Sequence, residues 1–128
     1  MIVLTVLLVP VLLLASGLVL DGGAALSTKD RALGEAAEAA RAGADALDVI
    51  AYRQTGRADV DPVRARAAAE KYLAVTGDRY TVAVSADAVT VTVLADYRTQ
   101  LLNVGGLDEI HVAGQATAHP VTSDASAP

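Results

Sequence analysis

The stretch Met1-Ile2-Val3-Leu4-Thr5-Val6-Leu7-Leu8-Val9-Pro10-Val11-Leu12-Leu13-Leu14-Ala15-Ser16-Gly17-Leu18-Val19-Leu20 carries no charged side chain. Thr5, Pro10, Ala15, Ser16 and Gly17 are all that interrupts a run of Val, Leu and Ile. At about 1.5 Å per residue a helix of this length spans the roughly 30 Å hydrocarbon core of a bilayer. Each central Leu, Ile or Val favours insertion by about 0.3–0.6 kcal/mol, which outweighs the penalties of Pro10, Thr5 and Ser16. Residues 1–20 are therefore read as a transmembrane helix. Pro10 removes one helix donor and predicts a kink in the span, best tolerated where a neighbouring helix covers the freed carbonyl. A cleavable signal peptide with a small-residue site near Ala15-Ser16-Gly17 is opposed by the missing basic n-region and by an apolar run that continues to Leu20.

Asp21-Gly22-Gly23 closes the apolar run and marks the end of the span. From Ala24 to about Ala51 the chain turns amphipathic. Leu33, Ala37, Ala40, Ala44, Leu47 and Ala51 recur at alternating spacings of four and three, with Glu35, Glu38, Asp45 and Asp48 largely off that stripe. The expectation is an Ala-rich helix over residues 21–55 whose narrow seam admits another helix backbone closely. High intrinsic helix propensity of Ala accounts for the same composition without a partner.

Thr55-Gly56-Arg57-Ala58-Asp59 breaks this pattern, and Asp61-Pro62 restarts a helix: Asp61 caps free amides while Pro62 fits the first helical position. That second helix is expected to reach about Thr76, with Gly77 stopping it. The period then becomes two. Tyr80, Val82 and Val84 form one strand and Val89, Val91 and Val93 another, joined by the loop Ser85-Ala86-Asp87-Ala88. A connector from Tyr97 to Leu107 holds the apolar patch Leu101, Leu102 and Val104, then Gly105-Gly106. Ile110, Val112, Ala116 and Ala118 mark a third strand, expected to pair with the Val89 strand. Residues 56–119 thus form a small α+β domain with a three-stranded antiparallel sheet, and the Ser-, Ala- and Pro-rich tail 120–128 is expected to be disordered.

Composition excludes several function classes. The 128 residues include no Cys, so disulfides and thiolate metal sites are out, and Tyr is the only aromatic type. A net charge of −5 without a basic cluster beyond Arg64/Arg66 offers no footprint for nucleic acid. His111 and His119 lack a third ligand at plausible spacing, so no metal site is expected. Glu35/Glu38 and Asp45/Asp48 lie on the polar side of a helix with no pocket wall to raise a pKa. Neither a nucleophile elbow nor a phosphate-cradling glycine loop is present. No catalytic residue and no cofactor is assigned.

The run Leu8 to Leu20 with Asp21-Gly22-Gly23, followed by Glu35-Ala36-Ala37-Glu38-Ala39-Ala40-Arg41-Ala42-Gly43-Ala44, resembles the TadE/TadG-like proteins of actinobacterial tight-adherence (Flp) pilus systems. The Thr/Val-rich hairpin and third strand are similar to the C-terminal halves of that family. The resemblance implies a pilin-like, membrane-anchored component without enzymatic activity or cofactor. It would pack through helices against other pilus or secretion-platform membrane proteins, with no small-molecule substrate. Members processed by a prepilin peptidase carry Gly followed closely by Glu before the apolar run; the first Glu here is Glu35, which favours the uncleaved, TadG-like pattern.

The resulting expectation is a single-pass protein of the bacterial cell membrane. Lys29 and Arg31 after the span would place the domain in the cytoplasm by charge counting. The resemblance and the acidic domain place it outside. An alternative from a different class is a membrane-anchored extracytoplasmic ligand-binding or sensor domain, which would need a concave apolar pocket.

Overall fold

A computed structural model describes residues 1–121. The expected disordered tail falls, from residue 122 onward, outside the described residues.

One α-helix, α1, runs unbroken from Ile2–Ala44. Its 43 residues correspond to about 65 Å at the standard rise. Neither Pro10 nor Gly22-Gly23 breaks it. Thr5, Ser16 and Thr28 return their hydroxyls to the carbonyls of Met1, Leu12 and Ala24, so each polar side chain is satisfied within the helix.

The helix stops earlier than the Ala pattern implies. After Ala44, residues 46–48 turn to pair with 59–61: Leu47 bridges Val60, the Asp48 amide donates to the Asp59 carbonyl, and the Asp61 amide donates to the Ala46 carbonyl. These bonds replace the next helical turn. A separate short helix α2 then forms over Val49–Thr55, its N-terminal amides at Ile50 and Ala51 capped by the Asp48 carboxylate. Residues 21–55 are thus two helices rather than one. Gly56 ends α2 at a φ of 72°, a conformation in which glycine alone is unstrained.

Helix α3 spans Pro62–Leu73, capped as its sequence indicates by Asp61 on the amides of Val63 and Arg64. Three strands follow, β1 (Arg79–Val84), β2 (Val89–Arg98) and β3 (Glu109–Ala118), in the antiparallel order β1-β2-β3. Val84 opposes Val89 across the four-residue loop, and Val89 opposes Ala118 in the second pairing. A one-turn 3₁₀ helix, Leu102–Gly105, sits in the β2–β3 connector.

The sheet buries one face. Val89, Val91, Val93 and Ala95 of β2 are fully covered, with Val82 from β1 beside them. Ala32, Ala36, Ala39, Ala40 and Ala44 of α1 and Ala65, Ala69 and Leu73 of α3 complete the core. With side chains this small, the layers must come very close to exclude water. Gly43 and Gly114 permit it: a β-carbon on Gly43 would lie 2.9 Å from Val89 Cγ1, and one on Gly114 would overlap the α1 backbone at Ala32 and Leu33. The opposite face carries Thr81, Thr92, Gln115 and Thr117, with Asp96 bonded to Arg79 (Nη2–Oδ2 3.2 Å) and His111 (2.7 Å). The His111 hydrogen bond and the nearby Arg79 charge hold the Asp96 carboxyl below its ordinary value.

Candidate functional site: an exposed apolar helix braced by Asp21

Between residues 1 and 20 only Gly17 is buried. Leu, Ile and Val side chains stand out on every side of the helix, with Val19 still 74% exposed at the end nearest the domain. Monomeric soluble proteins rarely leave contiguous apolar surface of this extent in water. The helix has the length and composition to cross a bilayer. The protruding, uncovered half of α1 is the most extended exposed apolar surface among the described residues.

Gly17 is buried because the β2–β3 connector leans on it. A β-carbon there would meet Leu101 Cβ at 3.1 Å. One turn further along, Asp21 is 1% exposed and takes up the connector's free amides. Its Oδ1 accepts from the Gln100 amide at 2.9 Å and from the Tyr97 hydroxyl at 3.2 Å. Its Oδ2 accepts from the amides of Leu101 at 2.9 Å and Leu102 at 2.8 Å. The side chain thus caps the 3₁₀ helix from a different element some eighty residues away in sequence. The Gln100 amide, with those of Leu102 and Leu101 and the Tyr97 hydroxyl, holds the Asp21 carboxyl below its ordinary value against the opposing effect of burial. Burial, reinforced by the hydrogen bond and charge of Asp21, pushes the Tyr97 hydroxyl up.

The residues singled out from sequence fall in different places. Pro10 lies inside α1, and Asp21, Gly22 and Gly23 are interior helical residues. Gly22 and Gly23 are exposed, whereas Asp21 is bound to the connector. Of the expected seam, Ala40 and Ala44 are buried, but against the chain's own sheet and α3. Leu33 is 44% exposed and Ala37 half-buried, each one position off the buried stripe of Ala32 and Ala36. Leu47 belongs to the bridge with Val60, and Ala51 lies in α2. A continuous seam for a partner helix is thus not what α1 presents here, because the sheet occupies the buried part of it. His111 and His119 are exposed, the latter with Nδ1 2.8 Å from the Asp87 carbonyl. Sequence reading assigned Asp21 only to the end of the span and gave Gly114 no role.

Comparison with known proteins places this helix in context. Residues 1–46 match the Tad family, described as “Putative Flp pilus-assembly TadE/G-like”. The match covers the whole of α1, from the exposed apolar surface to the turn after Ala44, and supports a pilus-assembly-related role. No curated protein and no solved structure matches the chain. The Tad match therefore rests on the helix, while the sheet domain stands on its own geometry.

Proposed function

We propose that this protein is a non-enzymatic, membrane-anchored structural or assembly component, minor pilin-like, of a Tad/Flp-type pilus or related secretion apparatus. Residues 2–20 cross the cell membrane, and the α+β domain lies on the extracytoplasmic side. The observation that carries this reading is the uncovered apolar surface of α1 within the segment that matches the Tad family. Such a surface needs lipid, or helices of other pilus proteins, to be stable.

The Ala seam enters this proposal in modified form. Ala40 and Ala44 serve the domain's own core, so packing with other platform proteins falls to the span itself, where Ser16 borders Leu12, Ala15, Val19 and Leu20. The test is membrane fractionation with alkaline extraction, followed by crosslinking from the span in the native host. The expected result is retention in the membrane and crosslinks to pilus-platform proteins. Release as a folded aqueous monomer would overturn the proposal.

A further inference from the structure

We infer that the β2–β3 connector is a second membrane contact: Leu101, Val104 and Leu107 dip into the acyl region of the leaflet through which α1 leaves the bilayer. This rests on the reading of residues 2–20 as a membrane span.

Position comes first. The connector folds back along α1 toward its apolar end, so that Leu101 and Val104 share one recess with Leu13, Leu14 and Ser16. Leu13 lies seven residues before Leu20, about 10 Å along the helix axis. Interfacial segments bury their apolar side chains about 5–10 Å into the headgroup and acyl boundary. If Leu13 and Leu14 are in hydrocarbon, Val104 beside them is at that depth.

Composition agrees. From Thr99 to Leu107 the connector carries no charge, and Val104 is 88% exposed, Leu107 53% and Leu101 45%. Leu101 and Val104 continue the apolar surface of the span at Leu13 and Leu14. Arg98, Asp108 and Glu109 flank the segment and, with Thr99 and Asn103, line a separate polar recess. Leu101 and Val104 thus adjoin the span, while Thr99 and Asn103 line the polar recess.

Backbone polarity is the usual obstacle to placing a loop in lipid, because each unsatisfied amide there is costly. Here the amides of Gln100, Leu101 and Leu102 donate to Asp21. Those of Thr99, Val104, Gly106 and Leu107 donate to the carbonyls of Asp108, Leu101, Asn103 and Leu102. The Thr99 hydroxyl closes the neck on the Leu107 carbonyl. The Asp21 carboxylate is thereby spent on three of the loop's own donors, which lowers the cost of taking them out of water.

The chain has no native Cys, which permits a direct test. Single-cysteine variants of the full chain, Val104→Cys, Leu12→Cys in the span and Ala83→Cys on the outer sheet face, are labelled with an environment-sensitive nitrobenzoxadiazole dye. Each is reconstituted at about one chain per phosphatidylcholine–phosphatidylglycerol vesicle, so that a second copy cannot supply the apolar surroundings. The expected result is blue-shifted emission from V104C and about twofold quenching by lipids brominated near the headgroup end of the acyl chain, with A83C unaffected. Emission from V104C matching that of A83C, while L12C is quenched, overturns the inference and leaves the anchor standing. Water-like emission from L12C as well overturns both.

Discussion

The backbone of Leu33 passes directly over Gly114, so closely that a β-carbon on Gly114 would lie 2.6 Å from the Leu33 Cα. Helix backbone rests on strand backbone at this point, and no rotamer change can make room. Gly114→Ala should therefore cost at least ~3 kcal/mol, the upper part of the range for overpacking. Thermal unfolding in detergent should show a large loss for this variant, while Gly105→Ala, which meets nothing within 4 Å, should change little.

The same contact separates the two sides of α1. Ala40 has no exposed surface, so Ala40→Leu should destabilise the domain by about 1–3 kcal/mol. Leu33→Ala, on the half-open side, should cost less than about 1 kcal/mol. Circular dichroism melts of both variants test this; equal effects would show that α1 does not lie on the sheet in this phase.

Asp21 and Tyr97 set a pH window for the connector. Asp21 titrates lower in the folded chain than its ordinary 3.8, so its stabilising effect is complete above that value and lost as pH falls through the lower folded one. Tyr97 titrates higher than its ordinary 10.0, so its effect is complete below that value and lost as pH rises through the higher folded one. Hydrogen exchange at the Leu101 and Leu102 amides, corrected for intrinsic rate, should show greatest protection between these limits. Asp21→Asn should speed that exchange on the order of tenfold at neutral pH and abolish the acid limb.

The caps provide a graded test of the helical segments. Asp61→Ala leaves the Val63 and Arg64 amides without their acceptor and should cost about 1 kcal/mol, because α3 delivers Leu73 to the core. Asp48→Ala should fray α2 with a smaller global effect, since that helix buries no residue. Urea melts of the two variants should rank in that order.

Much of the architecture was legible in the residues themselves. The uncharged run to Leu20, the Asp61-Pro62 start of α3 and the period-two strands are local signals, and each corresponds to its element. The end of α1 was not local. Nothing between Ala44 and Ala51 forbids a helix, and the chain leaves it because Leu47 finds Val60. The phase of α1 on the sheet was also hidden, because Ala occupies nearly every face of residues 36–44 and gives no hydropathy contrast. At Leu33 and Ala37 the expected stripe lies one position off the buried one, which runs through Ala32 and Ala36. What selects Ala32 instead is Gly114, where only the smallest side chains allow the backbones to meet. Asp21 was legible as a punctuation mark after the apolar run, but its three backbone partners lie in the connector beyond β2, and no short-range pattern points to them.

The continuity of α1 has a mechanical consequence. Because one rod serves both as the greasy stalk and as the backing of the sheet, the molecule has no swivel between head and stalk. Gly22 and Gly23 lie within this rod, and the clasp of Asp21 on the neighbouring connector holds the chain beside them. A sideways load on the head would pass into the stalk as a change in its tilt, so the angle at which the head is displayed is set by how the stalk sits in its surroundings.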